Sequence, residues 1–145
     1  MNKLPLIGRI LFAVPFGILG LNHFIMQNFY EGMLTSFIPG GGYTILFTGV
    51  LLIGACISII INRYVRIACA VIAFLLLMFI FTIHLPQLFD ANPDLAKSAF
   101  VELLKDTSLL GGCLMIMGFY KSDSETITEE IEETEDEVEE ISEQI

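Results

Sequence analysis

Five ionisable side chains stand where the chain is otherwise apolar: His23, His84, Glu102, Lys105 and Asp106. Imidazole, carboxylate and ammonium are the groups that exchange protons and hydrogen-bond a polar head group. In hydrocarbon each is costly unless it pairs or meets water. Three of them fall in the first third of FVELLKDTSLLGGCLMIMGFY, residues 100–120. Helical spacing sets Glu102 one turn from both Lys105 and Asp106. Glu102, Asp106, Leu109 and Cys113 then share a face, with Lys105 one step around it. A charged face of this kind has to turn toward other protein or a wet cavity, so the two acids, the lysine and the two histidines are read as lining a polar pocket. A plainer reading exists for the same residues. Lys105 reaches the headgroups with Glu102 as its surface partner, the acids suit the positive end of a helix, and His84, directly before Leu-Pro, ends its own helix. Asp106 lies deepest and favours burial. Two histidines and two acids are also metal-ligand types. No pair has HxxxH-like spacing and the donors come from three separate helices, so the sequence sets no metal site.

The elements that position these groups follow from hydropathy. The chain has 145 residues, 54% of them hydrophobic, with a mean hydropathy of +0.73. The apolar residues lie in long blocks, and about 20 such residues cross a bilayer as a helix. The pattern predicts an all-α fold: an antiparallel four-helix transmembrane bundle in residues 1–120, with helices over about 4–26, 43–61, 65–89 and 100–120, and a flexible acidic tail over 121–145. Lys3 and Arg9 ahead of an apolar run resemble a signal peptide. The run is too long and lacks a small-residue cleavage site, so it is read as a retained first helix. Between helices 1 and 2, Phe29, Tyr30, Met33, Leu34, Phe37 and Ile38 recur at helical spacing. They predict either a short interfacial helix or a loop packed over the bundle mouth, before Pro39 and three glycines turn the chain. Gly17 and Gly20, Gly49 and Gly54, and Gly111 and Gly112 are read as close-packing positions. Pro15 is expected to kink helix 1.

Charge orients the bundle. Lys3, Arg9, Arg63, Arg66 and Lys121 fall on one side and only Lys97 on the other, which predicts both termini in the cytoplasm of a multi-pass cell-membrane protein. At 1.5 Å per residue, His84 lies about 28 Å above Val65, and Asp106 about 9 Å below Phe100. His23, at the end of helix 1, reaches the same outer depth. Twelve of the 17 acidic residues sit in residues 121–145 beside one lysine, a net of −11. This tail has a weak heptad spacing, but like charges keep such a run solvated, free to meet a basic cytoplasmic partner. No basic patch exists to hold nucleic acid. Cys56, Cys69 and Cys113 each sit in a different block, with no CxxC. They are read as small apolar fillers rather than redox thiols.

Three stretches resemble one family. GRILFAVPFGILGLNHF is similar to the first helix of DoxX-like membrane proteins, with Gly20, His23 and Phe24 in place. IPGGGYTILFTGVLLIG resembles their turn and second helix through Pro39, Thr48, Gly49 and Gly54. KDTSLLGGCLMI resembles their fourth-helix signature through Lys105, Asp106, Gly111 and Gly112. The resemblance covers about residues 5–120. It departs at Leu52, where many members carry glutamate, and a polar site that depends on that glutamate is not carried over. It implies a four-helix bundle and a redox-associated membrane subunit. Some relatives are associated with thiosulfate oxidation feeding quinone, others with membrane complexes handling oxidative stress. A quinone or other small molecule bound near the outer face, with a redox partner to carry electrons, is the expectation. A non-catalytic scaffold and a small solute carrier are the alternatives, and no residue set here assigns catalysis.

Overall fold

The computed structural model describes residues 3–33 and 40–120, and all regular structure among them is helical. The elements are α1 (Leu4–Ile25), α2 (Gln27–Met33), α3 (Gly42–Ile60), α4 (Val65–Phe79), a π-helical segment (Ile80–His84), α5 (Leu85–Leu88) and α6 (Pro93–Phe119). Leu34, Phe37, Ile38 and Pro39 of the predicted outer stripe and turn, and the whole acidic tail, lie outside the described residues.

Three helical stretches are long and apolar enough to cross a membrane: Leu4–Ile25, Gly42–Ile60 and Val65–Leu88. That is the mark of a membrane protein. Their outward faces agree. Ile18, Phe47, Phe74 and Phe81 are each more than half exposed, an apolar belt that water would not tolerate and lipid would cover. α6 is longer than any of the three, at 27 residues, but its first half holds Asp94, Lys97, Glu102, Lys105 and Asp106. It also starts earlier than the expected 100. Asn92 caps it, its side chain accepting a hydrogen bond from the Asp94 N–H at 3.0 Å, and Pro93 takes the first helical position, where no N–H is needed. The stretch read as an outer loop is therefore largely helix.

α1 packs on α3, α3 on α4, and α4 on α6. Glycine sets the first contact. A methyl group at Gly20 would stand 2.8 Å from Ile53 Cγ1 and 2.9 Å from the Gly49 carbonyl oxygen, and one at Gly17 would stand 2.8 Å from Cys56 Sγ. Gly112 adjoins Phe12 of α1. At Gly54 and Gly111 there is open space, so those two do not act as the close-packing positions their small size implied. α1 runs unbroken through Pro15. The core is built from small and branched side chains: Ala13, Ala55, Cys56, Ile59, Ala68, Cys69, Ile72 and Cys113 are all buried. Cys69 and Cys113 come from different helices, yet their thiols are neighbours in the core. They are a buried pair, which the separate apolar blocks concealed.

The helix that begins at Val65 widens at Ile80–His84 before Pro86. Proline inside a helix clashes with the carbonyl four residues back, here that of Thr82. A π turn immediately ahead of it makes room, and the extra residue shifts the phase of the helix. Thr82 turns its hydroxyl inward to donate to the Met78 carbonyl at 2.6 Å. His84, the last residue of the widened turn, is carried into contact with α6.

Candidate functional site

His84 Nε2 lies 3.2 Å from Asp106 Oδ2, and both side chains are largely buried. This contact joins the π-helical segment to α6. Asp106 is 4% exposed, the depth expected of the charge furthest along α6. Lys105 Nζ lies 3.8 Å from Asp106 Oδ1 and hydrogen-bonds Glu102 Oε2. Lys105 and Glu102 are each about half exposed, so their pair sits at the rim while His84–Asp106 forms the floor. The helical face proposed from spacing holds: Asp106 and Cys113 are buried, and Glu102 and Leu109 are partly so.

His23 reaches the same place from α1. It is buried, its Nδ1–H donates to the Leu19 carbonyl at 2.7 Å, and its ring stacks on Tyr30 with centroids 4.2 Å apart and planes 12° from parallel. The stack uses α2 as a cover. Gln27–Met33 is the short helix that the sequence left open against a packed loop, and it lies against α3 and α1. Burial pushes the Tyr30 phenol above its ordinary value, and the nearby Lys105 charge draws it partly back. Tyr30 thus stays an O–H donor at neutral pH. Sequence reading counted Tyr30 only as part of an apolar stripe. Its role as the lid over His23 needed the tertiary fold to be seen.

All five ionisable residues line one cavity of about 400 Å³. Tyr30, Thr44 and Thr48 add polar groups, while Phe16, Leu52, Ile72, Leu76 and Leu109 supply apolar wall. Position along the helices separates the two. Phe16 lies seven residues before His23 on α1, about 10 Å along the axis, and Ile72 lies twelve residues before His84. The cavity therefore has a polar end under α2 and an apolar end deeper among α1, α3 and α4. Leu52 is 3% exposed within this wall, so α3 contributes no charge to it.

The donor atoms of His84, Glu102 and Asp106 all lie within 4.8 Å of one another. These three come from two neighbouring elements and not from three separate helices, because His23 is committed to Leu19 and Tyr30. One polar atom in the cluster is unused: His84 Nδ1 is buried without a hydrogen-bond partner. Chemically, the arrangement can accept or deliver a proton at the His84–Asp106 pair, hydrogen-bond a polar head group, and balance negative charge through Lys105. Compared with known proteins, the chain matches no family model, no curated protein and no solved structure.

Proposed function

We propose that this chain is a multi-pass membrane protein of the DoxX-like plan, an antiparallel four-helix bundle with both termini cytoplasmic, that binds a small amphipathic molecule such as a quinone head group near the outer face. It would act as the membrane subunit of a redox complex. The observation that carries this reading is one cavity with an apolar deep end and all five ionisable residues lining its polar end. Its size falls in the usual range for small-molecule sites, and such sites are mostly apolar with a few placed polar groups. A quinone suits that polarity. The ring and its substituents would occupy the wall of Phe16, Leu52 and Ile72, and the oxygens would meet Lys105, Tyr30 and the His84–Asp106 pair. None of these side chains carries electrons, so the redox chemistry belongs to the bound molecule and a partner. The order of packing, α1 on α3 on α4 on α6, supports a bundle in which α6 is the fourth spanning helix.

The test is to purify the full chain in mild detergent, identify co-purifying lipophilic molecules by mass spectrometry, and titrate a short-chain quinone against thermal melting. Ligand at a hundredfold its Kd stabilises by about 2.7 kcal/mol, so a clear rise in Tm is expected. Leu52→Phe, which fills the apolar end, should abolish the rise. No co-purifying molecule, and a quinone response that is absent or unchanged by Leu52→Phe, would leave the scaffold reading in its place.

A further inference from the structure

We propose that His84, Glu102 and Asp106 form a binding site for one divalent transition-metal ion at the polar end of the cavity. The proposal is independent of which organic molecule the cavity holds. The three residues offer one imidazole nitrogen and two carboxylate oxygens, all within 4.8 Å of one another. The His84 Nε2 to Asp106 Oδ2 separation of 3.2 Å is close to the roughly 3.3 Å edge of a tetrahedral site with bonds of about 2.0 Å. Glu102 is on the same face of α6, one turn away, and is half exposed at the rim. Its carboxylate already lies within 4.8 Å of the other two donors, and a rotation that releases Lys105 would close the third edge.

Two further observations point to a cation here. A cation already occupies the place. The Lys105 ammonium is hydrogen-bonded to Glu102 and lies 3.8 Å from Asp106, so it balances one of two carboxylate charges and leaves a net of −1. A divalent ion would balance both, and Lys105, half exposed, can swing toward the headgroups as lysines near helix ends do. The second observation is His84 Nδ1, buried and without a partner. Metal binding at Nε2 places the ring proton on Nδ1, where no existing hydrogen bond competes and where a water in the cavity would serve as its acceptor. Three protein ligands with the remaining position facing a cavity is an open site, in which the ion keeps an exchangeable water. One imidazole among carboxylates selects zinc or a neighbouring first-row ion over calcium and magnesium, which take oxygen alone.

The experiment uses the full chain in detergent, free of any polyhistidine tag and without added quinone. Zn²⁺ is supplied, excess is removed by gel filtration, and the metal is counted by mass spectrometry, with affinities from chelator competition. One equivalent per chain is expected. His84→Gln should weaken binding more than about a hundredfold, beyond what loss of an outer-shell partner costs, and Lys105→Met should tighten it by removing the competing ammonium. Because a change in the cluster can also harm folding, zinc-edge X-ray absorption on the unaltered chain gives a second reading, with one imidazole in the coordination sphere expected. The proposal is overturned by no retained equivalent, by binding undiminished in folded His84→Gln, by binding weakened in folded Lys105→Met, or by an imidazole count other than one.

Discussion

Asp106 shows how differently two polar contacts in one cluster are valued. Its partner His84 is nearly as buried as it is, at 3.2 Å. The Glu102–Lys105 pair, a turn away, is half in the open. Removing one member of a buried pair strands the other and costs about 3–5 kcal/mol at full burial, whereas exposed pairs couple by roughly 0.2–1 kcal/mol. A double-mutant cycle on detergent melting with His84→Gln and Asp106→Asn should therefore show strong non-additivity, in the range of about 0.5–3 kcal/mol for contacting residues. The same cycle on Glu102→Gln and Lys105→Met should show coupling under about 1 kcal/mol. Near-zero coupling at His84–Asp106 would remove the reason for calling this a site. Tyr30 gives a separate check. Its phenol is raised in the folded chain, so the folded form holds its proton where the unfolded form has lost it. The stability from this group is full below about pH 10, the ordinary tyrosine value, and is lost as pH rises through the raised value. An ultraviolet titration of the wild type minus Tyr30→Phe should show one phenol ionising above that ordinary value. A difference curve centred at or below it would show that α2 does not cover His23. That Asp106 is buried could be read from its depth along a helix. That His84 is its partner could not, because the π turn before Pro86 resets which side His84 faces, and no periodicity rule includes that extra residue.

At the scale of elements, the three apolar runs were legible because hydropathy needs no tertiary information, and their observed ends lie within a residue or so of those expected. The start of α6 was not. Asp94, Lys97 and Ser98 gave residues 93–99 the look of a loop, although Asn92-Pro93-Asp94 is a helix-start signal in its own right. The Cys69–Cys113 contact was hidden by the 43 positions between the two in sequence. Composition marked six glycines as packing positions, and the structure divides them. Gly20 and Gly49 meet across α1 and α3 with each other's carbonyl oxygens about where a side chain would go. Backbone cannot move aside as a side-chain tip can, so Gly20→Ala and Gly49→Ala should each destabilise by about 1–3 kcal/mol, the cost of overpacking. Gly54→Ala and Gly111→Ala add a methyl group into open space and improve helix propensity, so melting should hold or rise, by up to roughly 1 kcal/mol. Equal losses at all four positions would mean that the α1–α3 contact is not the close one.

For the whole molecule, orientation is the property that decides what the cavity can meet. Tyr120, just past the end of α6, donates its hydroxyl to Asn62 Oδ1 at 2.8 Å, which places the C-terminal end of α6 beside the turn between α3 and α4. Along the α1–α3 contact, Gly17 faces Cys56 and Gly20 faces Gly49, so the start of α1 lies toward the end of α3 and the same turn. Lys3, Arg9, Arg63 and Arg66 are thereby gathered at one end of the molecule, with Lys121 next in sequence after Tyr120. His23, Tyr30 and His84 lie at the other end with α2, and among basic residues only Lys97 and Lys105 belong to that half. Positive charge is retained on the cytoplasmic side, so the cavity mouth should face outward, away from the cytoplasm. Alkaline phosphatase, active only outside, reports this directly. A fusion after Lys121 should be inactive and one inserted after Asp90 active. The opposite pattern would turn the cavity toward the cytoplasm, and with it the supply of any ligand or metal ion from the outer side would have to be abandoned.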